Sequence, residues 1–232
     1  MTATWIAMPE SVRGGRSIPP VQRNEQGNPP PRVALLVPVK AFADAKQRLR
    51  GELDAAQRTA LARWCAERVI AAAGAFAVHV VCDDPEVAAW AEHLGVTVIR
   101  CDVAGLNPAV ERGLQVLADT GFDLAVIAHG DLPLAEGFSE LALDGAITVV
   151  PDYRYDGTNA LVLPTALAGR FSPHYGSGSF RKHLIEALAH WPLVRVLRVE
   201  GLAHDLDTPA DLADPRMEEV RQWLQTNPAS PR

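Results

Sequence analysis

Short apolar runs alternate with longer amphipathic stretches through the first half of the chain. The runs are residues 33–39, 78–82, 96–100 and 124–128. Apolar runs of this length, bounded by turn residues, read as strands buried on both faces of a parallel sheet. The stretches between them carry helical signals. In residues 54–74, Leu61, Trp64, Cys65, Arg68 and Val69 recur near helical spacing, Asp54 is placed to cap the start, and Gly74 suits the residue after the end. Residues 85–94 form a second helix, closed by Gly95 and opened by aspartate before Pro85. A third helix opens within residues 105–114, with Asn107 as its cap and Pro108 at its first position. Strand and helix in strict alternation predict an α/β fold with a mostly parallel, doubly wound sheet.

After Pro133 the rhythm changes. Residues 146–150 and 160–163 read as strands joined by a polar loop. That pattern predicts a small antiparallel addition that lids the sheet. A helix then runs from Ser179 to His190, a strand over residues 193–199, and a helix starts at Thr208 and Pro209. Residues 1–31 are rich in Pro, Gly, Arg and Asn and read as a disordered extension. Gly14, Gly15, Arg16 and Ser17 within it follow no strand and open no helix, so they make no phosphate loop. The expected organisation is an extension over 1–31, one domain over 32–215, and a last helix and tail over 216–232.

Composition narrows the function. A net charge of -6 argues against non-specific nucleic-acid binding but leaves room for a small phosphorylated ligand, which needs only local cations. No apolar run approaches a membrane span, and the N-terminus lacks a signal-peptide core. Cys65, Cys82 and Cys101 have neither paired nor zinc-ligand spacing. Free buried thiols in a cytoplasmic protein are the expectation.

The candidate chemistry sits where strands end. Asp131 follows the run 124–128 directly, and Pro133 turns the chain behind it. Open α/β sheets bind ligands at that edge; the plain alternative is a turn cap. Lys46 and Arg48 lie on a basic loop after the first strand and suit a polyphosphate, unless they are simply solvated. Asp205 and Asp207 are two apart and point the same way on an extended chain. Gly176, Ser177, Gly178 and Ser179 lead into a helix, a credible phosphate or carboxylate site and otherwise an ordinary cap. His129 and His204 read as structural.

In order and spacing these fragments resemble the nucleotidyltransferases of the nucleotide-diphospho-sugar transferase (GT-A-like) type. Within it they resemble the guanylyltransferase family of the deazaflavin coenzyme (coenzyme F-420) pathway, the CofC or FbiD family. The resemblance rests on the stretches 38–49 (PVKAFADAKQRL), 105–107 (GLN), 129–133 (HGDLP), 157–161 (GTNAL), 175–180 (YGSGSF) and 205–212 (DLDTPADL). It implies condensation of GTP with a small phosphorylated acid, with release of pyrophosphate. Asp131 and Asp207 would hold Mg²⁺, Lys46 and Asn107 would contact GTP, and Thr158, Gly176 and Ser179 would bind the acid. Lys46 would join the two aspartates as a catalytic residue. Phosphoenolpyruvate, 2-phospho-L-lactate and 3-phospho-D-glycerate all remain open. Gln47 departs from a usual Thr, and Ser177 with Gly178 departs from a common Pro-containing pair. Other readings are a sugar-phosphate or molybdenum-cofactor nucleotidyltransferase of the same fold, which usually carries a Gly-Gly loop absent here, or a non-catalytic nucleotide-binding regulator.

Overall fold

A computed structural model describes residues 2–7, 30–142 and 145–227. The strands are β1 (Thr2–Ala7), β2 (Val33–Pro38), β3 (Ala77–Cys82), β4 (Thr97–Arg100), β5 (Leu124–Ala128), β6 (Ile147–Pro151), β7 (Thr158–Pro164) and β8 (Leu193–Arg198). The helices are α1 (Ala55–Ala71), α2 (Pro85–His93), α3 (Leu106–Asp119), α4 (Ser179–His190), α5 (Glu200–Ala203), α6 (Pro209–Ala213) and α7 (Glu218–Thr226). All eight strands form one sheet in the order β1-β8-β6-β7-β5-β2-β3-β4. β2 pairs in parallel with both β3 and β5, so the winding reverses direction beside β2. That reversal opens a crevice at the carboxyl ends of β2 and β5.

The strands are where the apolar runs are because helices cover both faces. On one face Leu36, Val81 and Ile127 pack with Val110, Leu114 and Leu117 of α3 and Ala187 of α4. On the other, Leu35, Val37 and Val126 pack with Val69 of α1. Gly113 lets α3 lie directly on β2: a Cβ there would fall 2.5 Å from a Leu36 methyl. The last helix belongs to the same body. Trp64 of α1 stacks on Trp223 of α7 with ring centroids 5.2 Å apart, over a core of Leu49, Leu61, Leu206 and Val220. Among the described residues, no helix is long and apolar enough to cross a membrane.

Local sequence explains the helix starts. Asp54 and Gln57 form a reciprocal capping box at α1, with bonds of 2.8 and 3.0 Å. Asp84 accepts the Val87 N–H at α2, and Thr208 caps α6 in a box with Asp211.

Three expectations need correction. The pair β6 and β7 is no lid: β7 is antiparallel to both β5 and β6 and lies between them in the middle of the sheet. Every residue of β7 is buried, and a strand with no solvated face belongs where helices cover both sides. Asn107 is not the cap of α3. Gly105, at φ 120°, takes that place, and Asn107 lies inside the first turn. Finally, the expected disordered extension over 1–31 begins with a strand. Residues Thr2–Ala7 pair antiparallel with β8 along their whole length, because alternating Thr, Trp and Ile suit a pleated edge. Gly14 to Ser17 lie outside the described residues.

Candidate active site

The crevice is a cleft of about 590 Å³ fed by the carboxyl ends of the first four parallel strands. β2 contributes Pro38, Val39 and Lys40. β3 contributes Cys82 and Asp83, β4 leads into Cys101 and Val103, and β5 into His129, Gly130 and Asp131. The far wall carries Gly176, Asp205 and Asp207. Sequence fragments more than 150 residues apart thus meet: those after β2 to β5 lie just past strand ends, Gly176 lies just before α4, and Asp205 and Asp207 lie between α5 and α6.

The segment after β8 is laced to the end of β5. The Leu206 N–H donates to the Asp131 carbonyl at 3.0 Å. The Leu206 carbonyl in turn accepts a hydrogen bond from Lys46 Nζ. Leu206 is fully buried, so its neighbours Asp205 and Asp207 are held on either side at the cleft. Lys46 itself is a left-handed residue, at φ 55°, with its side chain 4% exposed. Its Nζ lies 3.4 Å from Asp131 Oδ2.

Burial opposes charge on both partners, yet the pair stays charged. For Asp131, burial pushes the pKa up, but the Lys46 and His129 charges and the Lys46 hydrogen bond outweigh it and hold the carboxyl below its ordinary value. For Lys46, burial pulls the pKa down and Asp131, with Asp207 and others, more than restores it. Asp205 has no such cation among the described residues. Burial and the nearby Asp131 charge push its carboxyl above the ordinary range.

Asp131 has one oxygen to spare. Its Oδ1 is buried and has no hydrogen-bond partner among the described residues, with His129 Nδ1 3.9 Å away. A buried anionic oxygen left bare asks for a cation or a donor. Asp207 lines the same cleft and carries Arg48 at 2.7 Å. Among the described residues no group of three or more His, Cys, Asp or Glu comes together as a metal cage. Mg²⁺ does not need one: it is held by one or two carboxylates, with phosphates and waters filling the rest. Asp131 and Asp207 fit that donor set.

The residues expected to hold an acid are brought together, mostly behind the cleft wall. Gly176 lines the cleft, at φ 116°, and Gly178 at φ 68° starts α4, conformations that favour glycine. Thr158 and Ser179 are 0% and 2% exposed. They meet there, the Thr158 N–H donating to Ser179 Oγ at 2.9 Å. Asn107 also acts as a tie: its Oδ1 accepts the Tyr175 N–H at 2.7 Å, joining α3 to the Gly176 loop. Its neighbours Gly105 and Leu106 form the cleft wall instead.

Sequence reasoning overlooked Val103 and Leu106 as cleft residues and reads Asp83 with Asp84 as a helix cap; Asp84 is the cap, and Asp83 lines the cleft. The available signal was position, since each follows or flanks a strand end of the first half. Val103 and Leu106 are 61% and 37% exposed, an apolar wall facing the opening.

Comparison with known proteins places the chain in a family. Residues 33–218 match the family described as "Guanylyl transferase CofC like". The phosphoenolpyruvate guanylyltransferase of Rubrobacter xylanophilus is 39% identical over 190 residues, covering 78% of this chain and 92% of that protein. The enzyme of the same name from Sphaerobacter thermophilus is 35% identical over 190 residues, covering 77% and 90%. A CMP:2-keto-3-deoxy-manno-octonic acid synthetase, solved with CTP, superposes with a TM-score of 0.51 at 17% identity, over 84% of this chain and 99% of that one. At that identity the likeness concerns the fold alone.

Proposed function

The chain belongs to the CofC-like guanylyl transferase family, and from that premise we propose that it condenses GTP with phosphoenolpyruvate and releases pyrophosphate. The observation that carries this reading is the cleft itself. Asp131 with a bare buried oxygen, Asp207 and the cation Lys46 converge at the edge where an open α/β sheet takes its ligand. The choice of acid follows the names of the two relatives described above.

Asp131 and Asp207 would hold Mg²⁺. When bound, the ion supplies charge neutralisation for the triphosphate and for the departing pyrophosphate. The rest falls to side chains. A phosphate monoester has its second pKa near ~6 and is already largely dianionic at neutral pH. Its oxygen can attack the α-phosphorus of GTP with no general base; a new P–O bond forms there as the bond to pyrophosphate breaks. The protein's work is alignment and screening. Lys46 fixes Asp131 and the Leu206 segment, and so the spacing of the two carboxylates. Arg48, 72% exposed, is free to turn from Asp207 to a phosphate. The Val103 and Leu106 wall offers apolar surface to a base, and the Gly176 loop offers backbone N–H groups to the acid. Thr158 and Ser179 support that loop from behind, and Asn107 ties it to the nucleotide side. The unit that performs this starts at residue 32 and includes α7, which packs on α1 as part of the same body.

The test is a panel. The protein is incubated with GTP, Mg²⁺ and each of phosphoenolpyruvate, 2-phospho-L-lactate and 3-phospho-D-glycerate while pyrophosphate is followed. Release with phosphoenolpyruvate, abolished by a chelator, is the expected result. Preference for another acid overturns the substrate; no release with any of them overturns the reaction.

A further inference from the structure

His183 is fully buried in α4, lines no part of the cleft, and joins the start of β7 to the segment leading into Gly176, which does line it. Its Nε2 accepts the His174 N–H at 2.8 Å. A backbone N–H can only donate, so Nε2 is bare and the ring's single proton sits on Nδ1. Nδ1 lies 3.0 Å from Thr158 Oγ1, which therefore accepts from it. The Thr158 N–H donates to Ser179 Oγ, and the Ser179 N–H donates to the Gly176 carbonyl at 3.1 Å. The bonds run in one direction, from His174 on one side of Gly176, through the imidazole and the start of β7, back to Gly176 itself. One turn along α4, Glu186 Oε1 accepts the Ser172 N–H at 3.0 Å, so α4 holds alternate N–H groups of the approach to the loop.

Burial keeps the ring in the state this circuit needs. It pushes the His183 pKa down to about 4, helped by the His174 and His129 charges, so the imidazole is neutral at pH 7. Phe171 and Tyr175 pack against it, Tyr175 at 4.6 Å between ring centroids.

We propose that His183 is a positioning residue of the acid subsite: a neutral, Nδ1-protonated imidazole that sets the shape of the Gly176 loop by bridging His174 to Thr158. The inference rests on the reading above that this loop holds the acid. It assigns His183 no contact with substrate.

Three variants test it. His183→Ala removes both legs. His183→Asn keeps a donor near the Nδ1 place and loses the acceptor, while His183→Gln keeps an acceptor near the Nε2 place and loses the donor. In the folded Ala variant the KM for the acid should rise about tenfold, as for a lost buried hydrogen bond or two, with the KM for GTP within about twofold. Amide exchange over residues 175–179 should speed by a similar factor while that of β5 holds. Asn and Gln should each restore part of both. A folded Ala variant with a lower Tm but unchanged acid KM and unchanged loop exchange would overturn the proposal, as would equal rises in both KM values. If the wild type turns over no acid at all, the proposed reaction fails first, and loop exchange alone decides whether His183 shapes the loop.

Discussion

One loop places cations on two carboxylates of similar exposure, 32% and 35%, and the pairs differ at the cation. Lys46 meets Asp131 at 3.4 Å with the lysine side chain 4% exposed. Arg48, two residues on, meets Asp207 at 2.7 Å with its side chain 72% exposed. The shorter contact is the weaker one. An exposed pair gains roughly 0–1 kcal/mol because water and salt screen it. The buried pair is strongly coupled, since removing either partner strands a charge that burial already opposes, at about 3–5 kcal/mol. Lys46 is a structural cation that the fold cannot release, and Arg48 is a mobile one. A site that must exchange ligands needs the second kind beside the first.

The largest effects should come from the carboxylates, and they should differ in kind. Asp131→Asn and Asp207→Asn are both expected to take pyrophosphate release below detection. Asp131→Asn should also lower the Tm by several degrees, because it leaves Lys46 buried without its counter-charge; Asp207→Asn should leave the Tm within about a degree or two. Equal melting shifts would erase the distinction between the pairs. Next, Lys46→Met should cost about 3 kcal/mol at neutral pH, roughly 6–12 °C in a chain this size.

That cost should depend on pH in a defined direction. In the wild type the Asp131 pKa is depressed, so its contribution is present above the unfolded carboxylate value of 3.8 and is lost as pH falls through the lower folded value. Without Lys46, burial dominates and the folded value rises instead, so the variant regains stability as the carboxyl protonates. The stability gap between wild type and Lys46→Met should therefore narrow as pH falls toward about 4. A gap constant from pH 7 to pH 4, by urea denaturation, would show that the lysine stabilises through packing rather than charge. The smallest effect belongs to Arg48→Gln: a Tm change within about a degree, and a few-fold rise in the KM for GTP that shrinks at high salt.

The fold was legible to the extent that it follows from local pattern. β5 occupies residues 124–128, as the apolar run predicts, and the caps at Asp54, Asp84 and Thr208 follow from side chains that can bond only their near neighbours. What pattern cannot supply is pairing. The segment 158–164 reads as a strand from its own residues, but its place between β5 and β6 depends on partners elsewhere in the chain. Asn107 went to α3 as a cap because its real partner, the Tyr175 N–H, is 68 residues away. The site divided the same way. Asp131 is marked by the strand end before it, Gly176 by the helix start after it and Asp207 by its spacing from Asp205, and all three reach the cleft. Thr158 and Ser179 came from resemblance, which gave their importance without their burial, and His183 carried no mark at all in a sequence with seven histidines.

β1 has a consequence of another sort. It stands at one end of the sheet, hydrogen-bonded to β8 through residues paired from Thr2–Arg198 to Ala7–Leu193. Strip it away and β8 would show a row of N–H and C=O groups with nothing to bind, the template on which a neighbouring chain can add a strand. The cleft is built from other strands and would not notice. Residues 2–7 thus govern how this protein behaves in a crowd: a chain beginning at Pro31 should keep its turnover when dilute and gain light scattering as it is concentrated.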